Sequence, residues 1–261
     1  MLLNDLLGGG LPAAARETLG AVEITNVTVD SRKVEPGGFF IAVPGSAQDG
    51  AKFVPQAVDN GAVAVLVDRD AQLPNLPVPV LRTGNVRKAL ADIASRFHPR
   101  QPKTIAAVTG TAGKTSVASF LRQIWGHIDG AVPAMIGTTG VFAPGRSDYG
   151  SLTTPDPVKL HELLDELAGD GVSHCAMEAS SHGLDQMRLD GVRLAVAGFT
   201  NLGRDHLDYH SDIEEYLTAK LRLFGDLLKP GQPAVIYADD EFSARVIDHA
   251  EVHGIDDKTV G

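Results

Sequence analysis

The stretch Val108-Thr109-Gly110-Thr111-Ala112-Gly113-Lys114-Thr115-Ser116 combines glycines with a Lys-Thr pair and has the composition of a phosphate-binding loop. It follows the apolar run Ile105-Ala106-Ala107 and precedes a helix-like stretch. In that context Gly110 and Gly113 let the backbone turn sharply, so that amides and the positive end of the next helix converge on an anion. Residues 110–116, from Gly110 and Thr111 through Ala112 and Gly113 to Lys114, Thr115 and Ser116, are therefore the candidate nucleotide-binding set. Lys114 can neutralise terminal phosphates, and Thr115 can ligate magnesium. The usual pattern has a glycine five residues before the second one, where this chain has Val108, so the loop is a shortened variant. The plainer alternative is a glycine-rich turn between a strand and a helix.

Three further segments carry chemically useful side chains where strands are predicted to end, the usual place for ligands in open α/β sheets. Glu178 follows the apolar run Cys175-Ala176-Met177 and is placed either to share a magnesium ion with Thr115 or simply to be solvated. Thr200 to His210 gathers His206, His210, Asp205, Asp208 and Arg204 after an apolar strand, a set suited to metal and phosphate handling. Zinc is disfavoured there because no thiolate or His-Glu-x-x-His pattern accompanies the histidines, and either aspartate can instead cap a helix. The third segment opens with Asp212 and Glu215 in capping-box spacing. Its apolar stripe is Ile213, Tyr216, Leu217, Leu221, Phe224 and Leu228, and Lys220 falls on the same stripe. An ammonium there either snorkels to water or finds a partner, and burial favours its neutral, reactive form.

The elements that must position these groups predict an α/β protein in two parts. Short β-rich runs at Val27–Val29, Phe39–Val43 and Val63–Val67, with helical periodicity over 53–59 and 86–97, describe a small N-terminal α/β unit. Prolines bracket polar residues in Phe97-His98-Pro99-Arg100-Gln101-Pro102, which predicts a boundary between domains 1–99 and 100–261. Beyond it, apolar runs at 104–108, 134–136, 175–177 and 194–199 alternate with amphipathic stretches at 116–125 and 158–167. That alternation predicts a mostly parallel sheet with right-handed crossovers. A helix is predicted around Glu241 to His249, and Lys258-Thr259-Val260-Gly261 reads as the entry to another strand, so the second domain is expected to be incomplete.

Net charge of -10 argues against a nucleic-acid or anionic-membrane surface but not against a nucleotide, which needs only local positive potential. Cys175 cannot form an intrachain disulfide and sits in apolar context, which predicts a buried core thiol and fits a reducing cytoplasm. The N-terminus lacks a basic signal region, and no apolar run is long enough to span a membrane.

In order along the chain, Asp30-Ser31-Arg32, Pro36-Gly37-Gly38-Phe39-Phe40, Thr109 to Ser116, Thr153-Thr154-Pro155, Glu178 to Leu184 and Asn201 to His210 resemble the Mur ligases of peptidoglycan synthesis. The resemblance implies a uridine-binding first domain, with Val29, Ser31 and the Ser46-Ala47-Gln48 turn near the nucleotide. A P-loop ATPase domain would follow. It further implies that Thr153, Thr154, Ser180, Gln186 and Arg188 hold the muramoyl peptide and its phosphates. Lys114 would grip ATP, Thr115 and Glu178 one magnesium, and His206 a second. Lys220 would be carbamylated, its new carboxylate reaching that second ion, and Lys114, His206 and Lys220 would be the catalytic set. The implied reaction adds a third residue, meso-diaminopimelate, to UDP-N-acetylmuramoyl-L-alanyl-D-glutamate in a monomeric enzyme. Phosphorylation gives an acyl phosphate, which the incoming amine then captures.

Ala112 and Gly203 depart from the family pattern, where asparagine and serine are usual, and both weaken hydrogen bonding. The chain is also shorter than such ligases, which continue into the rest of the ATPase domain and a third, amino-acid-binding domain. It is expected to bind the UDP-substrate without completing the ligation alone. Competing readings are a ligase like folylpolyglutamate synthetase, which lacks a uridine-binding unit, and a non-catalytic nucleotide-binding fragment.

Overall fold

The computed structural model describes residues 1–10, 19–45, 49–150, 153–203 and 209–261. They fall into two units, Met1–Pro99 and Arg100–Gly261.

The first unit is built on a parallel sheet of β1 (Asn26–Thr28), β2 (Gly38–Ile41), β3 (Ala62–Asp68) and β4 (Val80–Thr83), in the order β1-β2-β3-β4. Strand β2, Gly-Phe-Phe-Ile, is buried along its whole length, as an unbroken apolar run in a parallel sheet should be. Its helices are α1 (Leu3–Leu6), α2 (Val54–Asp59) and α3 (Val86–Phe97). Asn85 starts α3 by accepting a hydrogen bond from the Lys88 amide at 3.0 Å, and Val86, Leu90, Ala91, Ile93 and Ala94 form the buried stripe that fixes it.

The second unit holds β5 (Thr104–Thr109), α4 (Lys114–Trp125), β6 (Pro133–Gly137), β7 (Gly140–Ala143), β8 (Arg146–Asp148) and α5 (Pro157–Gly169). It continues with β9 (His174–Glu178), α6 (Ser181–Asp185), β10 (Val196–Phe199), α7 (Ile213–Arg222), β11 (Pro233–Tyr237), α8 (Ser243–Val252) and β12 (Asp256–Val260). The sheet order is β12-β11-β10-β5-β9-β6-β7-β8, parallel from β12 to β6 and antiparallel across β6, β7 and β8. The α/β fold with a mostly parallel sheet is therefore as the alternating pattern predicts. The β7–β8 hairpin is an addition, closed by the Pro144-Gly145 turn with Gly145 at φ 74°.

Side-chain alternation divides the sheet's two faces. Ile105, Ala107, Cys175, Met177, Ala197, Phe199, Ala234 and Ile236 are buried in one core with residues of α5, α7 and α8. Met135 and Ala176 face the other way, against Ala118, Leu121 and Trp125 of α4. Cys175 is fully buried, and burial pushes its thiol up to about 12.

Two local readings shift. The helix predicted from Ser116 starts at Lys114, directly after the loop. The stripe predicted to run from Ile213 to Leu228 is helical only to Arg222; a single π-helical turn, Leu223–Leu227, follows, and Leu228 is extended. Among the described residues, no helix is long and apolar enough to cross a membrane.

Candidate functional site

The strand-to-helix loop at the end of β5 is shaped by its glycines. Gly110 has φ 145°, a conformation essentially confined to glycine, and a Cβ there would lie 1.9 Å from Thr200 Oγ1. Gly113, at φ 87°, precedes the first turn of α4. The loop therefore ends by aiming the first-turn amides of a 12-residue helix at its own mouth, the arrangement that binds anions.

The segment after β10 holds the loop in this form. The Thr111 amide donates to Asn201 O at 2.9 Å, and the Ala112 amide donates to Asn201 Oδ1 at 2.9 Å. Thr200 Oγ1 donates to Ala112 O at 2.6 Å, and the Gly203 amide donates to Thr111 Oγ1 at 2.8 Å. Ala112 and Gly203 thus enter the network through their backbones. Gly203 has room for a Cβ, its nearest neighbour being Thr111 Cγ2 at 3.6 Å.

Two lysines meet at this loop. Lys114 Nζ donates to Gly110 O at 2.7 Å and to Thr111 O at 2.9 Å, folding back over the turn. Lys220, on α7, is 1 % exposed and does not snorkel: its ammonium donates to the same Gly110 O at 3.0 Å. That ammonium also lies 4.3 Å from the centre of the Tyr216 ring one turn earlier, a cation–π contact. The hydroxyls of Tyr216 and Thr111 share a hydrogen bond at 3.1 Å, so α7 grips the loop at two points. Asp212 starts α7 by accepting from the Glu215 amide at 2.8 Å, while the Glu215 carboxylate caps Ser211 instead of Asp212.

Beside the loop, β9 pairs with β5 so that Val108 is opposite Glu178. Glu178 is 1 % exposed; its Oε1 accepts from the Thr138 amide at 3.0 Å and its Oε2 from Thr138 Oγ1 at 3.1 Å. A Cβ on Gly137 would lie 2.1 Å from Glu178 Oε1, so glycine is what lets the carboxylate sit there. Thr138 Oγ1 is 2.9 Å from Thr153 Oγ1. Thr154 Oγ1 donates to Glu178 O at 3.1 Å and accepts from the Ser180 amide at 3.2 Å. Arg188 donates to Thr154 O at 2.7 Å and, through Nε and Nη2, to Gln186 Oε1 at 3.2 and 2.8 Å. Gln186 Nε2 donates to Tyr209 Oη at 3.1 Å, and Tyr209 donates to Asp185 at 2.6 Å.

The structure thus brings Gly110, Thr111, Ala112, Gly113, Lys114 and Lys220 into one group. Thr153, Thr154, Glu178, Ser180, Gln186 and Arg188 form a second, joined to the first through the β5–β9 pairing. Thr115 and Ser116 lie in the first turn of α4. In the other unit, Val29 follows β1 and is half-buried, and Ser31 donates to Gln56 Oε1 at 2.8 Å. A cavity of about 690 Å³ in that unit is lined by Pro44, Asp49, Lys52, Asp68 and neighbouring residues, with neither Val29 nor Ser31 among them. Ser46, Ala47, Gln48, His206 and both candidate capping aspartates, Asp205 and Asp208, lie outside the described residues. His210 is buried against the rings of His182, Tyr209 and Tyr216. Sequence reasoning gave no role to Thr138, Thr200 or Asn201. The spacing of Tyr216 four residues before Lys220 was a usable signal for the cation–π contact.

A glycine-shaped loop feeding a helix N-terminus at the carboxyl edge of a parallel sheet defines a P-loop type of α/β protein. The description "Mur ligase middle domain" matches residues 108–261, and "Mur ligase family, catalytic domain" matches residues 23–98. The chain belongs to the Mur ligase family. It is 56% identical over 264 residues to the UDP-N-acetylmuramoyl-L-alanyl-D-glutamate--2,6-diaminopimelate ligase of Rhizobium meliloti (strain 1021), a match covering 100% of the chain and 54% of the relative. To the ligase of the same description from Brucella melitensis it is 59% identical over 242 residues, covering 93% of the chain and 49% of that relative. A solved structure of a ligase so described superposes with a TM-score of 0.83 at 30% identity, over 99% of this chain and 52% of its own. The chain therefore spans about half the length of the relatives it matches.

Proposed function

We propose that the chain is the nucleotide-handling part of an ATP-dependent ligase that adds meso-diaminopimelate to UDP-N-acetylmuramoyl-L-alanyl-D-glutamate in cytoplasmic peptidoglycan synthesis. What carries the reading is Lys220: a lysine 110 residues from Gly110 in sequence is buried with its ammonium on that glycine's carbonyl, inside the phosphate loop. The identity of more than half to ligases of that description, over the whole chain, supports the substrate assignment. The units 1–99 and 100–261 are read as the uridine-nucleotide and ATP domains.

In this reading the amides of residues 113–115 and Lys114 hold the β- and γ-phosphates once Lys114 leaves the loop carbonyls it occupies here. Thr115, Glu178, His206 and Lys220 as a carbamate would hold magnesium. The fit rests on a buried carboxylate at the loop and on oxygen donors, which suit a hard cation. Magnesium, when bound, neutralises charge on the transferring phosphoryl group. Carbamylation requires the Lys220 ammonium to give up one proton; the neutral amine then forms an N–C bond with carbon dioxide and loses a second proton, so that a cation becomes a carboxylate. Thr153, Thr154, Ser180, Gln186 and Arg188 orient the muramoyl peptide so that its terminal carboxylate oxygen attacks the γ-phosphorus and ADP leaves. The amine of the incoming amino acid then attacks the acyl carbon, and phosphate departs as the amide forms. Positioning and fixed positive charge supply most of the acceleration.

The test is a chimera in which this chain replaces the matched half of the Rhizobium meliloti relative. ATP-dependent incorporation of labelled meso-diaminopimelate into the UDP-dipeptide, lost in Lys114→Ala, is the expected result. A folded chimera that binds the UDP-dipeptide but forms no product, or that extends a folate with glutamate, would overturn the proposal.

A further inference from the structure

Away from the nucleotide loop, two histidines one helical turn apart address the same space. His249 lies in the last turn of α8 and His253 follows as its C-cap residue, the i, i+4 spacing that puts two side chains on one helix face. Their rings are 4.3 Å apart, centre to centre, with planes at 36°. Gly225, in the π-helical turn that follows α7, meets both. A Cβ there would lie 2.5 Å from His249 Nε2 and 3.2 Å from His253 Nε2, so glycine leaves open the spot that both nitrogens approach. Single π turns of this kind are frequent at functional sites.

Hydrogen bonding fixes what these nitrogens can do. His253 Nδ1 is 2.8 Å from His249 O; a carbonyl only accepts, so Nδ1 carries the proton and Nε2 of the neutral ring keeps its lone pair. A bond of that kind on the other ring nitrogen is the usual support of a metal-ligating histidine. Among the described residues, neither Nε2 has a hydrogen-bond partner. Burial, reinforced by the neighbouring His253 and opposed by Asp226, pushes the half-buried His249 imidazole below the ordinary histidine value, toward its neutral, ligating form. No group of three His, Cys, Asp or Glu side chains among the described residues could hold a metal, so the two imidazoles are the protein's whole contribution and water completes the coordination. Imidazole nitrogens suit zinc, whereas magnesium prefers oxygen donors.

We propose that His249 and His253 form a two-imidazole site for zinc, seated over Gly225 and clipping α8 to the turn after α7. The inference is independent of the ligase chemistry.

The test is a titration of zinc chloride into the 261-residue chain with magnesium in excess to fill oxygen-donor sites, read by heat and by imidazole nitrogen NMR shifts. Saturable binding of one equivalent should move the Nε2 signals of His249 and His253. His253→Asn, a change at an exposed side chain, and Gly225→Ala, whose methyl fills the space between the rings, should each weaken that binding about tenfold or more, the loss that removing even a ligand's supporting bond produces. No saturable binding, binding that leaves both Nε2 signals in place, or parent affinity in His253→Asn overturns the proposal. Parent affinity in a folded Gly225→Ala overturns it equally. Should Gly225→Ala fail to fold, His249→Gln takes its place, with the same loss expected and parent affinity again the contrary result.

Discussion

Replacing Gly110 by alanine attacks the nucleotide loop at its tightest point. The new residue must adopt φ 145°, at a cost of about 1–3 kcal/mol for an L side chain. Its Cβ would lie 1.9 Å from Thr200 Oγ1, so that hydroxyl must leave Ala112 O, at a further ~0.5–1.5 kcal/mol for the lost hydrogen bond. Together these favour some other loop conformation by about 1.5–4.5 kcal/mol, so affinity for magnesium-ATP should fall roughly 10- to 1,600-fold at about 1.4 kcal/mol per decade. Gly113→Ala separates strain from contact. That residue sits at φ 87° with nothing nearer than 3.7 Å to its would-be Cβ, so the left-handed penalty of about 1–2 kcal/mol is the whole effect and the loss should be about 5- to 30-fold. Isothermal titration of both variants in the 261-residue chain measures the two affinities. Thermal unfolding, read alongside, reports the strain without nucleotide. Parent-like affinity in Gly110→Ala, or a larger loss in Gly113→Ala, would refute the assignment of the loop's shape to Gly110 and Thr200.

Other perturbations follow from the same structure. Gly137→Ala forces its Cβ within 2.1 Å of Glu178 Oε1, so magnesium-dependent nucleotide binding should weaken while magnesium-free binding changes little, as fluorescence titration with and without the metal will show. Lys220→Ala removes a buried partner of Gly110 O and leaves a cavity; the unfolding free energy should fall by about 2–4 kcal/mol in denaturant titration. Cys175, its thiol pushed up to about 12 by burial, should resist a disulfide reagent in the native chain and react with one equivalent after unfolding. The side-chain hydrogen bonds from Arg32 hold the Asp30 carboxyl at about 2, below its usual 3.8. That depressed value makes the pair's contribution to stability complete above about pH 3.8 and lost as pH falls through about 2. An NMR titration of Arg32→Ala should return Asp30 toward 3.8, with little change in stability because the pair is exposed.

The sheet of the second unit was legible because strands buried on both faces must be continuously apolar. The runs at 104–108, 175–177 and 194–199 read that way and fall within or over β5, β9 and β10, and their alternation with helical stretches dictates parallel crossovers. Strand β11, by contrast, is apolar throughout yet buried only at Ala234 and Ile236, with Val235 and Tyr237 exposed, so its continuous hydrophobicity does not tell which face is covered. The β7–β8 hairpin gave only a Pro-Gly turn as a signal, since its strands are short and half polar. Lys220 could be singled out because a cation on an apolar stripe needs a partner. Which partner it takes is decided by β5 and α7 packing together, a contact between residues 110 apart that no local pattern contains. The same holds for Asn201, whose backbone and amide clamp two successive loop residues, and for Thr154, which ties Glu178 to Ser180 through one hydroxyl.

The central claim is that the loop at 110–115 holds a nucleotide's phosphates next to Glu178 and Lys220. A crystal structure of the chain with magnesium and a non-hydrolysable ATP analogue tests it most directly. The β- and γ-phosphates are expected within hydrogen-bond reach of the 113–115 amides and of Lys114 Nζ, released from Gly110 O, with a metal on Thr115 and Glu178. A nucleotide bound elsewhere on the chain, or a loop whose Lys114 stays on Gly110 O at saturating analogue, would contradict it.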